Sequence, residues 1–238
     1  PARDVPRAIF ISGVVIILLY TLGTMAVLAA IPAGDINLVE GLVDTLSLFF
    51  GESTAGKLLV LVLGLGALFT FFSNGVTWAL GCNRAAAEAA VEGELPKIFA
   101  LEDKKRGTPV GAAVLMGMVS TLCLLLYGLM SGSNEDLFWS LFAFSAVIFL
   151  LPYQGMLLTF LKLRRVDADH HRPYRVPGGA MAARVAAGLC MTILALSIFL
   201  FLYTPGSGFE WAVVGGVVIT LIIGEIVIRF AENHRRAR

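Results

Sequence analysis

Six times along this chain a long apolar run is followed by a short polar segment. The runs predict membrane-spanning helices at about 8–32, 57–83, 109–131, 136–162, 183–204 and 210–230. A hydrocarbon core about 30 Å thick is crossed by roughly 20 apolar residues of α-helix, each adding 1.5 Å. A helix also satisfies its own backbone hydrogen bonds where no water can reach them. The pattern therefore predicts an all-α, polytopic membrane helix bundle, read as one domain over 1–238 with the lipid bilayer as its surroundings. The segment between the first two spans places Leu38, Leu42, Leu46 and Phe49 or Phe50 at helical spacing, which predicts a short amphipathic helix along the interface. Val5-Pro6-Arg7 is read as preceding the first helix. After the second span the Ala-rich stretch Arg84–Ala90 continues as helix until Gly93 and Pro96 end it. The rest of 84–106 is read as a solvated loop from Lys97 to Arg106, Thr108-Pro109 opens the third span, and Arg164–Gly179 is read as an irregular loop.

Composition strengthens this picture. Of 238 residues 58% are hydrophobic and 15% charged, against about 25% charged in soluble domains. A soluble fold can bury one or two helices that are apolar all round, but not six. Cys82, Cys123 and Cys190 lie inside apolar runs without metal-ligand spacing, so they read as small hydrophobes. There is no phosphate-binding loop, nucleophile elbow or metal motif, which argues against an enzyme and against a cofactor.

Net charge is only +1, but its distribution is informative. Seventeen of the 18 Lys and Arg residues fall on alternate loops or the terminal segments, Lys57 being the exception. The positive-inside rule puts those segments, with both termini, in the cytoplasm of a multi-pass inner-membrane protein. Each basic loop is short and abuts a span, so the charges are orientation signals and not a nucleic-acid surface.

Polar residues inside the spans mark candidate function, because an unpaired amide or hydroxyl facing lipid is costly. The second span carries Ser73, Asn74, Thr77 and Trp78, with Asn74, Trp78 and Gly81 on one helical face. These residues either line a cavity or glue helices together, and Trp78 is either a contact or an interfacial anchor. The fourth span carries Ser145, Phe149 and Tyr153 in one stripe beside Pro152, which predicts a kink near Ile148. Tyr153 reads equally as a gate or as a belt residue. Glu225, the one acid in the interior of a predicted span, stands one turn before Arg229 and predicts an i, i+4 ion pair. His170 and His171 read as solvated.

Three motifs add a resemblance. Asn83–Ala100 followed by Arg106–Val110 resembles the loop after the eighth helix of amino-acid–polyamine–organocation transporters. Arg3–Ala8 is similar to that family's segment between helices six and seven, and Arg172–Gly178 to its loop between helices ten and eleven. The likeness runs end to end, and Trp78 with Asn83-Arg84 leans toward the glutamate/γ-aminobutyrate and arginine/agmatine exchangers. The resemblance implies that this chain is helices seven to twelve of an inverted-repeat transporter. It implies that Trp78 packs over a bound amino acid, that Asn74 lies a turn outward, and that Ser145 and Tyr153 line the site and its outer gate. Ser73, Thr77 and Phe149 are secondary lining candidates. Some glutamate/γ-aminobutyrate exchangers have an acid where this chain has Asn74, so the resemblance does not fix the substrate.

The sequence thus predicts secondary active amino-acid transport, as an exchanger or proton-coupled carrier, by a permease of which this is the C-terminal half. Its expected partners are an amino acid such as glutamate or γ-aminobutyrate, the missing N-terminal half, and a second copy in a homodimer. The absence of Met at position 1 agrees with a piece of a longer chain. The alternative is a self-contained six-helix membrane scaffold or channel subunit.

Overall fold

The computed structural model describes residues 4–32, 36–37, 40–51, 53–167, 172, 174 and 176–236, with side chains in the last helix described to Asn233. Seven α-helices follow in order: α1 Asp4–Ala30, α2 Gly41–Phe50, α3 Thr54–Val91, α4 Val110–Met130, α5 Asn134–Val166, α6 Gly179–Leu202 and α7 Trp211–Arg236. All but α2 are long and apolar enough to cross a membrane. The chain is an all-α, multi-pass membrane protein. Large apolar side chains such as Phe69, Phe72 and Leu129 are mostly exposed, which is the surface a lipid-embedded helix presents.

Five of the six runs grow into helices longer than the predicted spans, and α4, Val110–Met130, lies just inside its own. α1 begins at Asp4, so Pro6 lies within its first turn and does not precede it. It is tolerated there because the first N–H groups of a helix have no intrahelical partner. The short helix expected between the first two spans is present as α2, although Leu38 of its expected stripe lies outside the described residues, as do His170 and His171 and parts of the Arg3–Ala8 and Arg172–Gly178 motifs. Ser53 caps the start of α3, its hydroxyl oxygen accepting from the Gly56 N–H at 2.9 Å.

The molecule divides into two compact units, Pro1–Thr45 with Phe142–Val214, and Leu46–Leu141 with Gly215–Arg238. In the second, α3 runs through its membrane span without a break to Val91. It ends in a Schellman arrangement, with Gly93 at φ 82° and the Glu94 N–H donating to the Ala89 carbonyl at 2.8 Å. The stretch after it, expected as a solvated loop from Lys97 to Arg106, is mostly exposed, and it is also locally ordered. Lys97–Ala100 is a turn of 3₁₀ helix that packs against both α3 and α4. The Asp103 N–H donates to the Thr108 carbonyl at 2.9 Å, and the Gly111 N–H to the Leu101 carbonyl at 2.9 Å. Ala87, Ala90 and Ala112 are buried here, and Gly111 approaches the Ile98 carbonyl so closely that a Cβ would overlap it. The charged residues of the stretch face solvent as the sequence pattern expects, and the order beneath them comes from alanine, glycine and backbone groups of the flanking helices, which hydropathy weighs lightly.

In the first unit α5 and α6 are tied by the Gln154 side-chain amide, which donates to the Met191 carbonyl at 2.9 Å. The Phe142 and Phe201 rings meet edge to face at 5.7 Å. α6 starts at Gly179, earlier than the expected span, and stops at Leu202. A two-stranded antiparallel ribbon follows, β1 Tyr203–Thr204 and β2 Gly208–Phe209, with Gly206 and Gly208 at φ 96° and 93°. Stacked Phe199 and Tyr203, then Phe209 and Trp211, form a run of aromatic contacts around it. Such rings favour the membrane–water boundary. The Arg172 guanidinium donates to the Leu163 and Asp167 carbonyls at 3.2 and 2.6 Å and so caps the end of α5.

A hydrogen bond between transmembrane helices contributes about 0.6 kcal/mol on average, because the separated helices also find partners. Gln154→Leu is therefore expected to lower stability by no more than about 1–2 kcal/mol. The check is a melt in detergent. A collapse of the fold on this change would mean that Gln154 has a larger structural role than one interhelical bond.

Candidate functional site

The four candidates on α3 and the three on α5 belong to different units, Leu46–Leu141 and Phe142–Val214 respectively. On α3, Ser73, Asn74, Thr77 and Trp78 occupy two successive turns and are all exposed. The Thr77 hydroxyl donates to the Ser73 carbonyl one turn back, at 2.9 Å. Among the described residues Asn74 has no hydrogen-bond partner. Trp78 is 55% exposed and lies five residues before Asn83, about 7 Å along the helix. The stripe thus offers an amide and a large ring from one face of a helix that is otherwise apolar at this level.

On α5 the structure brings the other three together. Ser145, Phe149 and Tyr153 line one cavity of about 640 Å³, with Ile148 and Pro152 among its other walls. Phe149 and Tyr153 meet edge to face at 5.3 Å, a favourable aromatic geometry. The Ser145 hydroxyl donates to the Phe142 carbonyl at 2.9 Å. Pro152 lies within one continuous helix. Because proline has no N–H, the carbonyl one turn earlier, at Ile148, loses its usual donor. That position lies in the cavity wall beside the serine hydroxyl and the tyrosine ring. The cavity walls, Phe144 to Met156, all belong to α5, so it is an open depression on one helix face, aromatic and aliphatic with a few neutral polar groups.

The bond from Gln154 to Met191 leaves no signal in the sequence, since a backbone carbonyl accepts whatever the side chain. The Glu225–Arg229 pair is present, at 2.7 Å between carboxylate and guanidinium, with both side chains exposed. Among the described residues no group of three His, Cys, Asp or Glu side chains is placed to hold a metal. The cysteines are free.

Comparison with known proteins bears on what this arrangement serves. The profile of the amino acid permease family matches residues 1–228. The chain belongs to that family. Within it, the chain is 33% identical over 234 residues to a Lactococcus lactis protein named "Probable agmatine/putrescine antiporter AguD", the match covering 96% of this chain and 49% of that one. It is 27% identical over 212 residues to the glutamate/γ-aminobutyrate antiporter of Lactococcus lactis, covering 87% of this chain and 41% of the antiporter. A human cystine/glutamate transporter is 27% identical over 217 residues, covering 90% and 40%. The chain spans about half the length, or less, of these curated relatives of the amino acid permease family. No solved structure matches it.

Proposed function

We propose that this chain is the C-terminal, six-span half of a secondary active amino-acid transporter working by exchange or proton coupling. The observation that carries the reading is the match to the amino acid permease family over 1–228, together with relatives named as transporters and antiporters. In this reading the inverted-repeat fold is completed by an N-terminal half, and the substrate is an amino acid or its amine. Glutamate and γ-aminobutyrate are the first compounds to test. Trp78 is the ring that packs over the substrate, with Asn74 and Ser145 as polar lining. Tyr153, held edge-on by Phe149, is an outer-gate hydroxyl. Ser73 and Thr77 shape the same turns as Asn74 and Trp78. A homodimer of the full transporter fits a family of this kind without being required by the six spans.

The basic loops orient the protein with both ends of this chain on the cytoplasmic face of the inner membrane. Cysteines introduced at Gly41 and Ser133 are expected to react with an impermeant thiol reagent in intact cells, and cysteines at Asp103 and Asp169 only after permeabilisation. The reverse pattern would overturn the orientation. Uptake of radiolabelled glutamate, γ-aminobutyrate, arginine and agmatine by proteoliposomes of the full-length protein, with and without a trapped counter-substrate, tests the transport reading. Absence of flux for every amino acid and amine would leave the scaffold alternative in its place.

A further inference from the structure

A second cavity, of about 580 Å³, runs between α5 and α6 in the first unit. Its floor is made by Ala183 and Ala187, both buried, and its walls include Leu157, Phe160, Cys190 and Leu194. Met156 and Ile193 on its rim are 64% and 54% exposed, so the groove opens to the surface. Along α6 it extends from Ala183 to Leu194, which is about 16 Å at 1.5 Å per residue. One leaflet of a bilayer with a core of about 30 Å is about 15 Å deep. The groove is therefore as long as one leaflet.

Its two ends differ. The Tyr153 end lies within the span, whereas beyond Phe160 stands Arg164, one turn along the same face of α5. The Arg164 guanidinium carbon sits 4.6 Å from the centre of the Phe160 ring, and its Nε is buried without a hydrogen-bond partner. Lys162, Arg165, Arg172 and Arg184 are at the same ends of α5 and α6, against the single described acid Asp167. Arg172 is committed to carbonyls of α5, whereas Arg164 is held over Phe160 of the groove wall. An arginine fork suits phosphate oxygens, and basic pockets between transmembrane helices suit anionic headgroups.

We infer that this groove is a binding site for one anionic phospholipid, with an acyl chain lying along Ala183, Ala187 and Leu194 and the phosphate on Arg164. The inference needs a bilayer and a groove left open in the full-length protein, and it stands or falls independently of the transported substrate. Filling the groove covers apolar surface and gives the Arg164 guanidinium an anionic partner. It also joins α5 to α6 at the end opposite the ribbon, where the protein itself supplies no described side-chain hydrogen bond between the two helices.

Cys190 in the groove wall is a built-in reporter. Full-length protein in mild detergent is treated with N-ethylmaleimide in the presence of phosphatidylglycerol or phosphatidylcholine, and modification of the Cys190 peptide is followed by mass spectrometry. Phosphatidylglycerol is expected to slow the reaction about tenfold at concentrations where phosphatidylcholine does little, the effect of one charge-assisted contact. Arg164→Gln is expected to remove the difference between the lipids, and Lys162→Gln, off the groove stripe, to keep it. Equal protection by both lipids overturns the proposal without any variant, as does a preference that survives Arg164→Gln. A Cys190 that is unreactive in every lipid would mean that another protein segment, from the longer chain or a second copy, covers the groove, and would overturn it too.

Discussion

Trp78→Ala is expected to remove most uptake by the full-length transporter at normal membrane abundance, while Trp78→Phe keeps a measurable part of it. The ring stands on a helix face with Asn74 one turn away, and it is half exposed at a level about 7 Å inside the end of the predicted span. A ring that closes over a ligand acts by contact area, which phenylalanine replaces in part and alanine does not. Truncating an aromatic anchor in a binding contact costs on the order of 2 kcal/mol, or about thirtyfold. An interfacial anchor behaves differently, since losing it changes depth or yield and leaves the rate per molecule intact. Wild-type uptake by Trp78→Ala at equal abundance would therefore reduce this residue to an anchor, and the proposed role of Asn74 would weaken with it.

The second large effect is structural. Gly111→Ala is expected to destabilise the protein by about 1–3 kcal/mol or more, the range for overpacking a close contact. A Cβ at this position would overlap the Ile98 carbonyl, and a backbone carbonyl cannot swing away as a long side chain can. The obstruction falls where the 3₁₀ turn joins α3 to α4, so the whole Lys97–Gly111 connection would have to move. Gly117→Ala, two turns along the same helix, meets nothing within 4 Å. It is expected to be neutral or stabilising by up to about 1 kcal/mol, because alanine favours helix. Melting curves in detergent, with yield from size-exclusion profiles, separate the two. Equal stability of the two variants would mean that the connection is looser than the contact at Gly111 implies.

The spans were legible because lipid imposes one rule on every residue of a helix, and a run of some 20 apolar positions records it. The Glu225–Arg229 pair was legible for a similarly local reason: four residues is one turn. The stripe of Ser145, Phe149 and Tyr153 followed from helical spacing, and the structure adds that these side chains share a cavity beside Pro152. What stayed hidden depends on residues distant in sequence. Gln154 meets a carbonyl 37 positions away, and the lipid-length groove is made by alanines and leucines that look like any others in an apolar run. The turn at Lys97–Ala100 faces solvent as its charged residues suggest, but its order was not legible, because Ala87, Ala90, Ala112 and Gly111 of the flanking helices carry the packing.

The hydroxyl bonds within the helices have one more consequence. Thr77 and Ser145 each donate their only hydroxyl hydrogen to a carbonyl of their own helix. What they turn outward is lone pairs. At these two positions the protein is a pure acceptor, able to receive a hydrogen from an ammonium or amide group but unable to give one to a carboxylate. An anionic group brought beside either hydroxyl would first have to break a bond the helix has already made, whereas a cationic one would find the oxygen ready as it stands.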